Sequence, residues 1–509
     1  MEFNSDSRSF CLPVTVLDTV AEQLADVDLT LPDYCPDIEK ILKCTLVPQI
    51  QTKSLSGGQL QIEGSCSVGV LYVESEHKTI RCCEQSVNFS QSFSVRDTSD
   101  NFAVITKTKP EYINCRALSP RRLVIHGAFS LYVKVLTTQK TTLFTPADGS
   151  LELLTKKMDF ADLTAFCQEQ FTVSEEISVA DKPRIEGILY SKVTAAVTDV
   201  KAVTGKLMVS GELNLKLFYL TDVESGETAK LDYILPFSRI ADCEGIDENT
   251  RNLLGCDVMS YDIRLKNDML SDKPAVALDA KLCLTAEGYN IENKELIIDA
   301  YSTEFASVPQ FEKLKSIGEV NPVSESYIEK LTASLDDGKI SKILDIYSDS
   351  VTTDSKPSNG AVEVSGKINL CIVALDDKNY PIFIERSCDY SHVPDSTQGC
   401  NAMYFLRAEP SGISFRLSDD SSAEIRCELK ITGGAVKNEV TKAVSGVEVL
   451  EDKPVKPDNC SLMLYYAAQG ENLWEIAKAH NTALDSLLKE NQVEELTLDS
   501  PQMLLIPKA

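Results

Sequence analysis

Histidine, cysteine and carboxylate side chains supply most catalytic and metal sites, and this chain has few histidines. The four are His77, His126, His392 and His480. No two of them stand at the spacing of a metal-binding pair, and there is no H-E-x-x-H sequence. We expect His126 in a strand, His77 and His392 in connections, and His480 at the last turn of a helix, where a cation suits the helix dipole. Each is therefore predicted to be structural or solvated rather than catalytic.

A glycine-rich stretch at residues 360–367 comes closest to a nucleotide-binding motif. It has one residue too many between its glycines, and Ile368 stands where serine or threonine would hold magnesium. We expect a strand bounded by glycines instead. Acidic pairs such as Asp336-Asp337 and Asp376-Asp377 are typical of turns, because an Asp side chain can mimic a backbone hydrogen bond. The sequence therefore predicts no catalytic residues, no metal site, no cofactor and no enzymatic activity.

The 16 cysteines are scattered, with one adjacent pair at Cys82 and Cys83 and no C-x-x-C. Secreted disulfide scaffolds are shorter and denser in cysteine, and zinc sites show paired spacing with histidine nearby. We therefore expect reduced thiols that are mostly buried, since free cysteine packs as a small hydrophobic residue.

Charge and hydropathy exclude several classes of partner. With 50 Lys+Arg against 77 Asp+Glu in 509 residues, the formal net charge is -27, which repels nucleic-acid phosphate and anionic lipid. No stretch approaches the ~20 apolar residues needed to span a bilayer. Residues 1–20 lack the basic start and apolar core of a signal peptide. The sequence predicts a cytoplasmic protein that neither binds nucleic acid nor inserts into a membrane.

One unit recurs three times along the chain, and each copy begins with the pattern I-x-x-I-L at Ile38, Ile185 or Ile340. Twenty residues later each copy has a seven-residue segment bounded by glycines: GQLQIEG at 58–64, GKLMVSG at 205–211 and GAVEVSG at 360–366. An aromatic residue followed by serine comes next in each copy, at Phe89-Ser90, Phe237-Ser238 and Tyr390-Ser391. Because the first anchors lie 147 and 155 residues apart, each unit is a domain rather than a short solenoid repeat.

Apolar residues alternate on both sides of the second glycine in each copy, as in strands that bury one face. Many short strands separated by turn signals favour a β-sandwich or a related two-sheet fold. We therefore predict a mainly β protein with three homologous β-sandwich-like domains at residues 1–150, 151–318 and 319–450. Helix-like periodicity is confined to short segments such as 17–24 and 327–335.

The pattern changes after residue 450. Residues 451–460 (EDKPVKPDNC) predict a short linker stiffened by proline, and residues 461–509 predict a small domain of a different kind. Its expected order is β-α-α-β. The signals are a strand at 462–468, a capping box at Asn472 and Glu475, a second helix start at Thr482 with Asp485, and a closing strand at 503–506.

This segment resembles a LysM domain in three stretches: GENLWEIAK at 470–478, LLKEN at 487–491 and LLIP at 504–507. LysM domains generally bind N-acetylglucosamine-containing glycans in a shallow groove. Its walls are the loop after the first strand and the loop before the last, here 470–473 and about 498–502. Glu471 stands where the family usually has Asp, and the second loop lacks the family's Pro-Gly pair, so a protein-binding use of this surface is the other interpretation.

Trp474 is the only tryptophan in the chain. It is expected either to anchor the small hydrophobic core or to form an interface hot spot, and the two roles are compatible. The LysM resemblance implies a binding surface made of Gly470, Glu471, Asn472, Leu473, Trp474, Asn491, Ser500 and Pro501.

Repeated β-domains ahead of one LysM domain, in an acidic chain, resemble a family of clostridial spore-coat morphogenetic proteins. The resemblance implies a scaffold in the mother-cell cytoplasm that is recruited to the forespore surface. Its partners would be the coat-assembly ATPase and other coat proteins, bound by the LysM domain and by exposed edges of the β-domains. The alternative is a peptidoglycan-binding protein of the cell wall or cortex. A third hypothesis, an enzyme hidden in the β-domains, finds no copy enriched in histidine, lysine and aspartate.

Overall fold

The protein is built mainly from β-strands, which confirms the predicted class. The computed structural model describes residues 9–96, 102–146, 151–179, 181–266, 275–334, 340–419, 422–455 and 461–508. The described residues form seven sheets, two α-helices and one short 3-10 helix at Asp395–Thr397. Neither α-helix has the length that crossing a membrane requires.

The strands divide along the chain into three groups, which we call copies 1, 2 and 3. Copy 1 contains β1 (Ser9–Leu24), β2 (Val27–Thr30), β3 (Ile38–Ser56), β4 (Gln59–Glu74), β5 (Ile80–Ser94), β6 (Phe102–Ser119) and β7 (Arg122–Thr142). Copy 2 contains β8 (Leu151–Ser178), β9 (Gly187–Val203), β10 (Lys206–Leu220), β11 (Thr228–Asp242), β12 (Arg251–Lys266) and β13 (Ala275–Ser302). Copy 3 contains β14 (Phe305–Ser334), β15 (Ile340–Ser358), β16 (Ala361–Asp376), β17 (Pro381–His392), β18 (Ala402–Asp419) and β19 (Ser422–Pro454).

Each copy folds into two antiparallel sheets. Three consecutive strands form a meander sheet, ordered β3-β4-β5, β9-β10-β11 and β15-β16-β17 in the three copies. In the second sheet the last strand of the copy pairs with both the first and the penultimate strand: β7 with β1, β2 and β6, β13 with β8 and β12, and β19 with β14 and β18. A separate apolar cluster fills each copy. It draws side chains from both sheets, as in a β-sandwich.

The first glycine of each seven-residue segment makes the turn between the first two meander strands. Gly58, Gly205 and Gly360 have φ angles of +76°, +74° and +79°, a region that side chains other than glycine adopt at a cost. The stretch at 360–367 is therefore a turn followed by the start of β16, not a phosphate-binding loop.

The second glycine of each segment lies in the middle strand of the meander, directly opposite the aromatic residue of the aromatic–serine pattern in the next strand. A Cβ atom there would collide with the aromatic ring and with a backbone carbonyl of the strand on the other side. The ring covers the space that the glycine leaves, which pins the register of the hairpin. The pairs are Gly64 with Phe89, Gly211 with Phe237 and Gly366 with Tyr390.

The three copies pack against one another in a closed cycle. The third meander strand of each copy contacts the first meander strand of the next: β5 with β9, β11 with β15 and β17 with β3. Equivalent positions from all three copies, Leu71, Phe218 and Val373, join one apolar cluster, which we call the meander cluster. The leucine that ends each I-x-x-I-L pattern belongs to it as well, as Leu42, Leu189 and Leu344. The repeat signature therefore marks where the copies meet.

A second shared cluster joins the second sheets of the three copies. It contains Leu136 from copy 1, Leu253 and Tyr289 from copy 2, and Ile317 and Val436 from copy 3. Between copies 2 and 3, the rings of Tyr190 and Tyr347 also stack with centroids 3.8 Å apart. The three sandwiches thus form one packed body, which we call the β-body.

Two predictions of helical structure are wrong. Residues 17–24 lie in β1 and residues 327–334 lie in β14, whereas Leu335 lies outside the described residues. Tyr327 and Leu331 are four residues apart, a spacing that places two side chains on one face of either a helix or a strand. Ile328, next to Tyr327, is 55% exposed. Burial thus alternates from one residue to the next, which is the pattern of a strand and not of a helix.

Two of the predicted joints between domains fall within long strands. Residue 319 lies in β14 and residue 451 in β19, so these strands run past the points where a domain and the linker were expected to begin. Linker residues 456–460 and the acidic pair Asp336-Asp337 lie outside the described residues. At the other pair, the Asp376 carboxylate accepts a hydrogen bond from the Lys378 backbone N–H at 2.8 Å, as expected for a turn.

Candidate functional site

The C-terminal module begins with β20 (Leu462–Ala467), continues through α1 (Leu473–Ala479) and α2 (Leu484–Asn491), and ends with β21 (Gln502–Pro507). The two strands pair antiparallel, with Tyr466 opposite Met503. Side chains from one face of this two-stranded sheet join those of both helices in a single apolar cluster. The opposite face of the sheet does not contribute to that cluster.

Helix α1 begins as the capping pattern predicts. Asn472 is the N-cap, and its side-chain oxygen accepts a hydrogen bond from the Trp474 backbone N–H at 2.8 Å. This bond satisfies one of the N–H groups that a helix start leaves without an intrahelical partner.

The predicted start of α2 at Thr482 is wrong. Ala483 is the N-cap and offers no side-chain bond, while the Thr482 hydroxyl donates to the backbone carbonyl of Pro507. The Leu484 backbone N–H instead donates to the Glu152 carboxylate of β8, at 3.3 Å. A residue of the β-body thus takes the place of a local cap, which local sequence cannot reveal.

The two loops that the LysM resemblance implies are joined in the structure. The Gly470 N–H donates to the Leu498 carbonyl at 2.8 Å, and the Leu498 N–H donates to the Glu471 carbonyl at 3.1 Å. The Glu471 carboxylate closes its own turn by accepting a hydrogen bond from the Ala468 N–H at 3.1 Å. Gly470, Ser500 and Pro501 are exposed at this junction.

Three of the predicted binding residues support the module from within. Leu473 and Trp474 are each 1% exposed. The Asn491 amide donates to the carbonyls of Leu487 and Leu505 and accepts from the Leu505 N–H, all at 2.7–2.8 Å. These side chains therefore hold the surface in place and do not present polar atoms to a ligand.

Trp474 lies at the contact between the module and the β-body. Its indole N–H donates to the carboxylate of Asp299, in β13, at 2.7 Å. The Lys478 ammonium donates to both oxygens of the same carboxylate, at 2.8 and 2.7 Å. One buried carboxylate thus binds two side chains of α1, and the lysine compensates its charge.

Tyr301, two residues along β13, completes this contact. Its ring meets the Trp474 ring edge to face, with centroids 4.9 Å apart, and its hydroxyl donates to the Thr482 carbonyl at 2.7 Å. Burial raises the pKa of the Tyr301 phenol, so it remains a donor. Asp299 and Tyr301 escaped the sequence reasoning, because nothing in the local pattern of β13 identifies residues that contact a segment 175 positions later.

The outer face of the β20–β21 sheet is exposed and apolar. Leu462, Leu464, Tyr466 and Met503 are 49%, 67%, 73% and 63% exposed. The register brings them together, with Leu464 opposite Leu505 and Tyr466 opposite Met503. We call these four residues the apolar face. Exposed apolar residues clustered in this way mark interaction sites more often than isolated ones do. The alternation of Leu462, Leu464 and Tyr466 was the available signal in the sequence.

The four histidines lie apart from this module, except for His480. His480 is the C-cap of α1, close to its predicted position, and its ring lies edge-on to Tyr465. His126 lies in β7, as expected, and pairs with Asp26 at 3.1 Å. His392 ends β17 rather than lying in a connection, and it stacks on Tyr327.

One group of possible metal ligands lies in the meander sheet of copy 3, where it faces copy 1. Asp349, Cys371 and Glu385 place their ligand atoms within 4.8 Å of one another. However, the Lys43 ammonium lies 2.9 Å from Glu385 and 3.4 Å from Asp349, and the Asn369 amide donates to Asp349 at 2.8 Å. A lysine from copy 1 already occupies the position that a cation would take, so the group acts as an ion pair between copies.

Two segments of the chain match the family model of the SipL, SPOCS domain, at residues 37–118 and 184–266. Each match begins one residue before an I-x-x-I-L anchor and ends in the fourth strand after it, so the two cover equivalent parts of copies 1 and 2. Together these two segments span about a third of the chain. Within them the chain is similar to the SipL, SPOCS domain family. Copy 3, outside the matched segments, has the same strand order in both sheets. No curated protein and no solved structure matches the chain.

Proposed function

We propose that this protein is a non-enzymatic scaffold of spore-coat assembly, and that its C-terminal module is a LysM-like domain that binds a protein. Similarity to the SipL, SPOCS domain in copies 1 and 2 supports the sporulation context. The order of repeated β-domains and a C-terminal module resembles coat morphogenetic proteins. The proposed partners are the coat-assembly ATPase and other coat proteins, met in the mother-cell cytoplasm at the forespore surface.

The apolar face carries this proposal. Four large apolar side chains, each roughly half exposed or more, lie side by side on the sheet face that does not pack against the helices. Exposing such a face to water is unfavourable, and a protein partner would bury it. The module is held to the β-body through Trp474 and Lys478, so a partner could bind the apolar face without displacing that contact.

Packing of the copies favours the module over the meander edges as the partner site. The edge strands of each meander sheet lie against the neighbouring copies. Adding a partner strand there, as expected from sequence, would require the copies to separate. The apolar face needs no such rearrangement.

The test measures binding of the full chain to the purified coat-assembly ATPase. Leu464→Gln and Tyr466→Gln each remove apolar surface from the apolar face, and we expect roughly tenfold weaker binding or more, the loss typical of a hot-spot residue. Ile328→Gln, at a 55% exposed position of β14, is the matched control and keeps wild-type affinity. Unchanged affinity in both module variants would refute the apolar face as the binding site.

Glycan binding is the second candidate function, because the two joined loops leave Gly470, Ser500 and Pro501 exposed together. Ser500→Arg would fill this junction without touching the apolar face. If the full chain sediments saturably with insoluble peptidoglycan and Ser500→Arg does not, the module is a glycan-binding domain. If neither sediments, and the ATPase binds both equally, the loops are not the binding site.

A further inference from the structure

The outer face of the second sheet of copy 1 exposes apolar side chains to solvent. The inner face of this sheet packs on the meander sheet through residues such as Phe129 and Leu131 of β7, and the side chains that alternate with them lie on the outer face. Four large apolar residues of the outer face are each more than a third exposed: Val20, Leu24, Tyr112 and Tyr132. We call these four residues the copy 1 face.

Strand pairing places the four residues side by side across three strands. Val20 of β1 lies directly opposite Tyr132 of β7. Four residues further along β1, Leu24 lies on one side of Ala128 of β7, and Tyr112 of β6 lies on the other side. Ala128 belongs to the outer face and is nevertheless fully buried, because larger side chains lie on both sides of it. The copy 1 face is therefore one continuous patch, which marks an interaction site more often than scattered residues do.

The corresponding faces of copies 2 and 3 are different. In copy 2 this face is covered, since Cys283 of β13 is 0% exposed and joins the apolar cluster of copy 1. In copy 3 the last strand, β19, exposes the charged residues Arg426 and Glu428 on this face. Among the described residues, only copy 1 combines exposure and large apolar side chains here, so the repeat itself does not require the copy 1 face.

Charges of opposite sign border the two long sides of the copy 1 face. Asp18 and Glu22 lie on the β1 side, and Lys107 and Lys109 lie on the β6 side. All four are exposed. The Lys109 ammonium lies 3.2 Å from the Glu111 carboxylate of its own strand, whereas the other three form no ion pair with any described residue. A partner that complements this surface must present a basic, an apolar and an acidic stripe in that order, and the copy 1 face itself has this order.

We propose that the copy 1 face is a homodimer interface, at which a second molecule of this chain packs its own copy 1 face against the first. A twofold axis parallel to β7 would place β1 of each molecule over β6 of the other. Glu22 of each molecule would then face Lys109 of the other, and Leu24 would face Tyr112. The two Tyr132 rings would meet near the axis, in the apolar centre where interfaces are enriched in tyrosine.

The size of the copy 1 face predicts a weak dimer. It is three strands wide and extends over about ten residues, or roughly 15 Å by 30 Å from the spacing of strands and residues. Two such faces would bury on the order of 900 Å², less than the ~1,200 Å² at which stable interfaces begin. Association should therefore depend on protein concentration. Each dimer would carry two C-terminal modules, which could bind an assembled partner with avidity.

The test measures the mass of the full chain by sedimentation velocity over a range of concentrations. We expect the wild type to shift from monomer to dimer as concentration rises. Leu24→Asp and Tyr132→Asp, each first compared with the wild type by circular dichroism, should raise the dissociation constant at least tenfold, roughly the effect of a hot-spot residue.

Two control variants should dimerise as the wild type does. Ile328→Asp changes an exposed residue on the outer face of copy 3, in the first strand of that copy and opposite Glu428. Leu464→Gln changes the apolar face of the C-terminal module, which is the rival surface for self-association. A dimer that Leu464→Gln weakens and Leu24→Asp leaves intact would overturn the proposal.

Exchange of charges tests the twofold arrangement itself. Glu22→Lys and Lys109→Glu should each weaken the dimer, because each brings like charges together across the interface. The double variant should recover most of the affinity, since it reverses the sign on both sides at once. A double variant that dimerises no better than the single ones would contradict this arrangement.

The wild-type protein alone can also refute the proposal. A chain that remains monomeric at every concentration would overturn it. If the chain is monomeric and Leu24→Asp weakens binding of the coat-assembly ATPase, a different protein covers the copy 1 face, and the homodimer is wrong.

Discussion

The contacts among the three copies and the contact that holds the C-terminal module depend on different kinds of interaction. The copies meet through apolar side chains at repeat-equivalent positions, such as Leu71, Phe218 and Val373. The module is held mainly by hydrogen bonds to side chains of the β-body, above all to the Asp299 carboxylate, which binds an indole and an ammonium group. Apolar contact is non-directional and tolerates exchange of leucine, phenylalanine and valine. A buried carboxylate requires particular donors at fixed positions.

This difference predicts how each contact fails. Removing an apolar group from the meander cluster leaves a cavity and lowers stability in proportion to the lost volume. Removing the Asp299 carboxylate leaves an indole N–H and a lysine without their acceptor. The first change weakens the β-body, whereas the second releases the module and leaves the β-body folded.

The largest expected effect is that of Phe218→Ala, because Phe218 is 1% exposed in the meander cluster. Truncation of a buried phenylalanine costs about 3–5 kcal/mol, measured here as the free energy of unfolding in urea. Ile234→Ala, at a 59% exposed position of β11, is the control and should change stability little. Equal stability of the two variants would show that the copies do not meet at Phe218.

The next effect depends on pH and concerns Glu287, a buried acid beside the second shared cluster. Burial raises its pKa from 4.5 to about 7, although a hydrogen bond from the Tyr289 hydroxyl at 2.6 Å opposes the shift. Between those two values the folded state keeps a proton that the unfolded state has lost, so stability decreases as pH rises through this window. Across the window the wild type should lose roughly 3 kcal/mol of folding free energy, at about 1.4 kcal/mol per pKa unit. Glu287→Gln should remove this dependence on pH.

Urea unfolding of both proteins at pH 5 and pH 8 measures that difference. Glu287→Gln should gain stability over the wild type at pH 8 and little at pH 5. A stability difference that is the same at both pH values would contradict a titrating Glu287.

The smallest effect is expected for Lys43→Met, at the ion pair between copies 1 and 3. Burial opposes the charge of Lys43, but its hydrogen bond to Glu385 prevails and raises the pKa of Lys43. Losing it leaves two carboxylates without their cation, which should cost about 1 kcal/mol and less at high salt. Lys206→Met removes the exposed pair with Asp242 and should have almost no effect. An equal loss in both variants would mean that burial adds nothing to the Lys43 pair.

Much of the fold could be predicted because the same sequence pattern occurs at equivalent positions in three copies. In all three copies the first glycine of the seven-residue segment makes a turn, and the second pairs with the aromatic residue of the aromatic–serine pattern. Local periodicity misled at residues 327–334, since a four-residue spacing suits helix and strand alike. How the copies pack could not be predicted, because no single copy records which of its apolar faces meets another copy.

The candidate site was predictable in its local parts only. The Asn472 cap and the two joined loops follow from nearby residues. The burial of Trp474 against Asp299 does not, because it depends on a strand far away in sequence. Trp474 was a candidate for partner contact, yet in the structure its ring packs against the β-body. The exposed apolar residues of β20 are therefore the candidates for partner contact.

The fluorescence of Trp474 tests the central claim most directly, because it is the only tryptophan in the chain and lies at the contact that orients the module. In the full chain we expect blue-shifted emission that acrylamide quenches weakly. Asp299→Ala should shift the emission to the red and increase quenching, while Asp262→Ala, an exposed aspartate of β12, leaves both unchanged. Red-shifted, readily quenched emission in the wild type, or no response to Asp299→Ala, would show that the module is not held to the β-body in this way.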